Sequence, residues 1–96
     1  MKPSQKLAEH RSELLKLAHD YRIRDVKVFG SVAHGHDREG SDIDLLVEME
    51  PGASLFDLSG FGLDAEELLG VRLDIVSNGR QVGIVMDRIR AEAVPL

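Results

Sequence analysis

Asp42-Ile43-Asp44 is the most chemically suggestive run in this sequence. On an extended strand, residues i and i+2 face the same way, about 6.5–7 Å apart along the chain. Both carboxylates would then share one face while Ile43 turns to the core. Paired hard oxygen donors suit Mg²⁺, which takes a few carboxylates and completes its shell with substrate phosphate oxygens. A solvated strand face is the plainer alternative, but Asp is disfavoured in strands and the flanking residues are apolar. Asp74 repeats the anomaly inside Leu73-Asp74-Ile75-Val76. If the two strands are neighbours, three carboxylates converge and repel one another unless a cation binds. Otherwise Asp74 would pair with Arg72 or Arg80. Ahead of both lies Phe29-Gly30-Ser31. Gly lets a ligand approach the backbone, and the N–H groups of a following helical turn, with the Ser hydroxyl, suit a phosphate. Alone, Gly-Ser is also an ordinary strand-to-helix turn. Taken together, a phosphate cradle beside three carboxylates fits two-metal chemistry on a nucleoside triphosphate, with one metal activating a hydroxyl and the other holding the triphosphate and the departing pyrophosphate.

These residues need particular elements to position them. Leu7, Leu14, Leu15 and Ala18 recur at helical spacing, predicting one helix from Ser4, as N-cap, to Asp20, with Met1 to Pro3 a loose end. Val26 to Phe29 reads as a short strand, and Gly30 to His34 as one helical turn opening a loop that runs to Ser41. Ser41 to Glu48 is the clearest strand, with Ile43, Leu45 and Val47 on one face. Ser54, with Asp57 three residues on, caps a helix running to Leu69 and stopped by Gly70. Gly60 and Gly62 weaken its middle and allow a break. Val71 to Val76 is a third strand. Val82, Val85, Met86, Ile89 and Ala93 predict a last helix that Pro95 ends. The order implies an α+β domain, a small mixed β-sheet with helices packed on one side.

Composition sets bounds on the chemistry. The 96 residues are 43% apolar and 30% charged, an ordinary globular balance, and only 4% aromatic. Leu, Val, Ile and Ala must therefore build the core. With no cysteine, disulfides and thiolate chemistry are excluded. No apolar run approaches the roughly 20 residues of a membrane-spanning helix. Net charge is −5, and it is unevenly spread. Residues 29–79 hold eleven acidic and two basic residues, which argues against direct binding to a nucleic-acid backbone but suits divalent cations. By charge alone, a solvated acidic surface is the simpler account of most of them. The four histidines have no spacing that would build a zinc site. Phe56 and Phe61 suit an interface as readily as the core, so the oligomeric state stays open.

The run Val28-Phe29-Gly30-Ser31-Val32-Ala33-His34-Gly35, followed by Ser41-Asp42-Ile43-Asp44-Leu45-Leu46-Val47, resembles the signature of the DNA polymerase beta-like nucleotidyltransferase superfamily. Within it the chain looks like a minimal nucleotidyltransferase (MNT) domain, commonly the antitoxin half of HEPN/MNT toxin–antitoxin pairs. The resemblance covers nearly the whole chain, so residues 1–96 are expected to form a single domain with a polymerase beta-like palm core. It implies nucleotide binding at Gly30 and Ser31, and metal ligation and catalysis by Asp42, Asp44 and Asp74. It implies two Mg²⁺ ions, ATP as substrate and a cytoplasmic setting without membrane attachment. The expected reaction moves AMP to a hydroxyl, a tyrosine, of a HEPN ribonuclease toxin encoded nearby, which would supply the acceptor in trans. Many relatives carry Arg directly after Gly-Ser and again two residues on, where this chain has Val32 and His34. Triphosphate binding would then be weaker, or would rest on Lys27, Arg38, a protonated His34 or a partner's cations. The alternatives are a binding module that neutralises the toxin by masking it, and a stand-alone transferase acting on a small hydroxyl compound.

Overall fold

The computed structural model describes residues 1–79 and 83–96. Arg80, one possible partner of Asp74, and Val82, in the last helical pattern, lie outside them. In chain order the elements are α1 (Pro3–Glu9), α2 (Arg11–Asp20), β1 (Ile23–Phe29), α3 (Gly30–Ala33), β2 (Ile43–Met49), α4 (Leu55–Leu69), β3 (Leu73–Ser77), α5 (Ile84–Glu92) and β4 (Val94–Pro95). The four strands form one mixed sheet in the order β3-β2-β1-β4. β1 runs antiparallel to β2 and β4, and β2 runs parallel to β3. The α+β class expected from the sequence is the class observed.

The core lies between one sheet face and helices α1, α2 and α4. Val26 and Val28 of β1 stand opposite Val47 and Leu45 of β2. With Ile43 they meet Leu7, Leu14, Ala18, Phe61, Ala65 and Leu69 from the helices. Ile43, Leu45, Val47, Leu14 and Phe61 are fully buried, each contributing about 1.5–3 kcal/mol of transfer free energy. Alternation along β2 then puts Asp44, Leu46 and Glu48 on the opposite face.

α4 starts and stops as the sequence predicts. Asp57 takes the Ser54 N–H at 2.9 Å, and Gly70 ends the helix in the left-handed region at φ 64°. The break at Gly60 and Gly62 does not occur. Both glycines are spacers, since a Cβ on Gly60 would overlap Tyr21 Cε1 and one on Gly62 would sit 3.3 Å from Ile75 Cδ1. The first helix departs from expectation in being two. His10 leaves helical geometry, with φ −108° and ψ 18°, and the chain bends so that α2 alone packs along β1 and α4. Ser4 is not the N-cap. Lys2 holds that position and Pro3 opens α1, as suits a residue with no N–H to place.

Strand limits shift as well. β1 begins at Ile23, three residues early, because β2 supplies it with backbone partners back to Met49, past an irregularity between Ile23 and Asp25. Val94 and Pro95, expected to end a helix, form a short edge strand against Val28 and Lys27. Leu96 donates its N–H to the Val26 carbonyl at 3.3 Å, so strand alternation turns Pro95 outward, where its ring nitrogen has no hydrogen to offer. β3 and β4 occupy opposite edges, so the connection through α5 spans the sheet.

Candidate active site

β-Pairing gathers the acidic residues. Phe29 is in register with Asp44, and Asp44 with Asp74, giving a row across β1, β2 and β3 on the face away from the core. Asp44 is partly buried and Asp74 exposed. Burial is the largest cause raising the Asp44 carboxyl above its ordinary pKa, followed by the charges of Asp74 and Asp42 and a hydrogen bond with Asp74. Among the described residues, no Lys or Arg forms an ion pair with Asp42, Asp44 or Asp74. Arg72 does not neutralise Asp74.

Gly30 closes the row. Its φ is +73°, a conformation costly to residues bearing a Cβ. A Cβ at this position would overlap Asp44 Oδ2. The strand end therefore meets the carboxylate through bare backbone, and α3 starts there. Ser31 follows in the first turn, partly exposed, and its carbonyl accepts the His36 N–H at 2.9 Å.

The structure thus brings Gly30, Asp44 and Asp74 into contact or register, with Ser31 adjoining. Asp42 precedes β2, two residues from Asp44, and acts on it through its charge. Among the described residues, no three Asp, Glu, His or Cys side chains are gathered tightly enough to enclose a metal ion. The donor chemistry nonetheless fits a hard divalent cation. These are oxygen ligands without a counter-charge among the described residues, and burial together with their mutual repulsion raises the proton affinity of Asp44.

The phosphate side differs from the acidic side. Val32 packs against the core, and His34 Nε2 lies 3.6 Å from Glu92 Oε2. Neither supplies a fixed cation. Lys27 stands one row below Asp44, opposite Leu46, with its Nζ 4.0 Å from Asp25. Arg38 is exposed in the loop. One positioning residue, Asp37, had no signal in the sequence. It is 4% exposed and accepts the Ser4 N–H at 2.9 Å, tying the loop before Asp42 to the start of α1. That hydrogen bond is the main cause lowering its pKa. An isolated Asp among Gly, His and Arg gives no hint of a partner 33 residues away.

A family model described as a nucleotidyltransferase domain matches residues 6–94. The chain belongs to the nucleotidyltransferase domain family. This nucleotidyltransferase is 34% identical over 86 residues to a Methanocaldococcus jannaschii protein provisionally named a protein adenylyltransferase, an alignment covering 90% of this chain and 92% of that one. It is 37% identical over 70 residues to the protein adenylyltransferase MntA of Thermococcus cleftensis, covering 73% and 68% of the two chains. A solved structure described provisionally as a minimal nucleotidyltransferase superposes with TM-score 0.85 at 42% identity, covering 97% of this chain and 95% of that one. A toxin–antitoxin crystal structure with AMP-PNP shares the fold, with TM-score 0.71 at 20% identity over 88% of this chain and 69% of that one.

Proposed function

We propose that this nucleotidyltransferase moves AMP from ATP to a tyrosine hydroxyl of a partner HEPN ribonuclease toxin encoded beside it, and so acts as the antitoxin. The observation that carries this reading is the Asp44–Asp74 pair. Among the described residues it lacks a counter-charge, it has Asp42 alongside, and its Asp44 member is held against the bare backbone of Gly30. The name of the MntA relative, a protein adenylyltransferase, and that of the structurally similar toxin–antitoxin complex support a protein acceptor and a toxin–antitoxin setting.

In this reading Asp42, Asp44 and Asp74 would hold two Mg²⁺ ions, which supply charge neutralisation for the triphosphate and acidify the acceptor hydroxyl. Gly30 leaves the backbone open to the β- and γ-phosphates, and Ser31 adds its hydroxyl. Asp74, the exposed member of the pair, faces the acceptor and takes the hydroxyl proton. The freed oxygen bonds to the α-phosphorus, the bond from that phosphorus to the bridging oxygen of the β-phosphate breaks, and pyrophosphate leaves with the electron pair.

A second reading rests on Val32 and His34. With one in the core and the other beside Glu92, the triphosphate finds no fixed cation in α3 or at its C-cap. The chain would then neutralise its partner by masking it. Incubation with ATP labelled at the α-phosphate, Mg²⁺ and the neighbouring gene product separates the two. Label on the partner that is lost with Asp42→Asn and Asp44→Asn supports the transferase. Neutralisation that survives both substitutions with no label transferred establishes the masking module instead.

A further inference from the structure

β3 is an edge strand, and its unpaired side is patterned. The β2–β3 register, with Ile43 donating to the Arg72 carbonyl at 3.0 Å and Asn78 to the Val47 carbonyl at 2.7 Å, turns the backbone groups of Asp74 and Val76 toward β2. Those of Leu73, Ile75 and Ser77 therefore point outward. Two of these six groups are occupied. Glu66 Oε2 accepts the Leu73 N–H at 2.9 Å, and the Ser77 carbonyl accepts the Gly79 N–H at 3.0 Å. Among the described residues, none pairs with the Leu73 carbonyl, the Ile75 N–H, the Ile75 carbonyl or the Ser77 N–H.

These four groups match what one parallel strand requires. In a parallel ladder, a residue opposite Asp74 donates to the Leu73 carbonyl and accepts from the Ile75 N–H. The residue two further on, opposite Val76, donates to the Ile75 carbonyl and accepts from the Ser77 N–H. An antiparallel strand would complete a hydrogen-bonded pair only at Ile75, because Leu73 and Ser77 each have one of their two groups taken, whereas a parallel strand satisfies both groups of two of its residues. The helix side of this edge is also prepared for company. Glu66, Gly62 and Leu63 share one stripe of α4, where Glu66 bonds the edge, Gly62 meets Ile75, and Leu63 is 69% exposed.

We infer that β3 receives an extended segment of the acceptor protein as a fifth, parallel strand, with the acceptor hydroxyl residue in register with Asp74. This rests on the transferase reading above. A strand added at the usual spacing of about 4.8 Å places that side chain on the Asp44–Asp74 face and extends the row by one position. The next residue along falls on the helix side, near Leu63. The one after it lies beside Val76, which favours an apolar or β-branched neighbour. Backbone pairing supplies the affinity and the Asp74 register selects the residue modified, the division of labour usual in strand addition.

Ser77→Pro tests this, because it removes an outward N–H and leaves the β2 ladder intact. Labelled AMP transfer to the neighbouring gene product is measured at varied partner concentration, alongside Mg·ATP binding by equilibrium dialysis. The expected result is a KM for the partner raised at least tenfold, with ATP binding unchanged. Amide hydrogen exchange on the wild-type chain gives an independent test that needs no folded variant. With partner and AMP-PNP added, the Ile75 and Ser77 amides should slow at least tenfold, while the Leu73 amide, already held by Glu66, changes little. Wild-type KM in Ser77→Pro, or no slowing at Ile75 and Ser77, overturns the edge assignment while transfer itself stands. No transfer by the wild-type chain overturns the transferase reading and this inference with it.

Discussion

Gly30→Ala and Gly35→Ala make a matched pair. The two glycines have nearly the same backbone, with φ +73° and +71°. A Cβ on Gly35 meets nothing within 4 Å, whereas one on Gly30 overlaps Asp44 Oδ2. Each variant therefore loses about 1–2 kcal/mol for holding Ala in the left-handed region, which for a domain of this size lowers Tm by about 4–8 °C per kcal/mol. Gly30→Ala must also push the Asp44 carboxylate off its rotamer, adding about 0.5–1.5 kcal/mol. The stabilities should thus differ by about 1 kcal/mol in urea titrations. Activity should separate the two far more widely. A displacement of about 1 Å at a positioned catalytic group costs on the order of 100-fold, so Gly30→Ala should lose about that factor in AMP transfer while Gly35→Ala stays within about twofold of wild type. Equal activity in the two variants, at equal folded fraction, would refute the placement of Asp44 against the Gly30 backbone.

Asp37→Ala should cost about 1 kcal/mol at pH 7, the usual price of a lost helix-terminus acceptor. Because the folded-state pKa of Asp37 is depressed, its contribution is present above the unfolded carboxylate value and disappears as pH falls through the folded one. Urea midpoints of variant and wild type should accordingly converge only in acid, and a gap independent of pH would assign the loss to something other than the charge. In α4, Gly62→Ala should stabilise by up to about 1 kcal/mol, since helix propensity favours Ala and only the mobile Ile75 Cδ1 must give way. Gly60→Ala gains the same propensity but presses on the Tyr21 ring, where overpacking costs about 1–3 kcal/mol. Thermal melts should show opposite signs for the two.

Features set by local chemistry were readable in the sequence. Ser54, Asp57 and Gly70 bound α4 because capping is a matter of neighbouring residues. The apolar alternation of Ile43, Leu45 and Val47 located β2 and put Asp44 on the other face. Asp74 stood out because a charge interrupts an apolar run. Features set by distant contacts were not readable. His10 carries no helix-breaking signal, and the turn there follows from where α2 must lie on β1. Gly60 and Gly62 looked like weak points, yet each makes room for a side chain from elsewhere in the chain, Tyr21 or Ile75. β4 is too short to have a pattern and exists because Val28 and Lys27 offer it partners. Asp37 and Ser4 meet only once the loop folds back. In the candidate site, residue types and their spacing were visible, but the parallel register that sets Asp74 beside Asp44 belongs to the assembled sheet.

The two edges of that sheet are chemically unequal. At β4, the outward position belongs to Pro95, which has no N–H to donate, while β3 leaves Ile75 and Ser77 able to donate. A sheet able to bond at both edges can propagate copy upon copy into a filament. Here the outward N–H donors lie at β3 and Pro95 offers none at the far edge, so a strand added at β3 finds no matching donor on the other side from which to continue. Pro95 thus acts as a chain terminator for the sheet, and the molecule can keep a reactive edge exposed without polymerising through it.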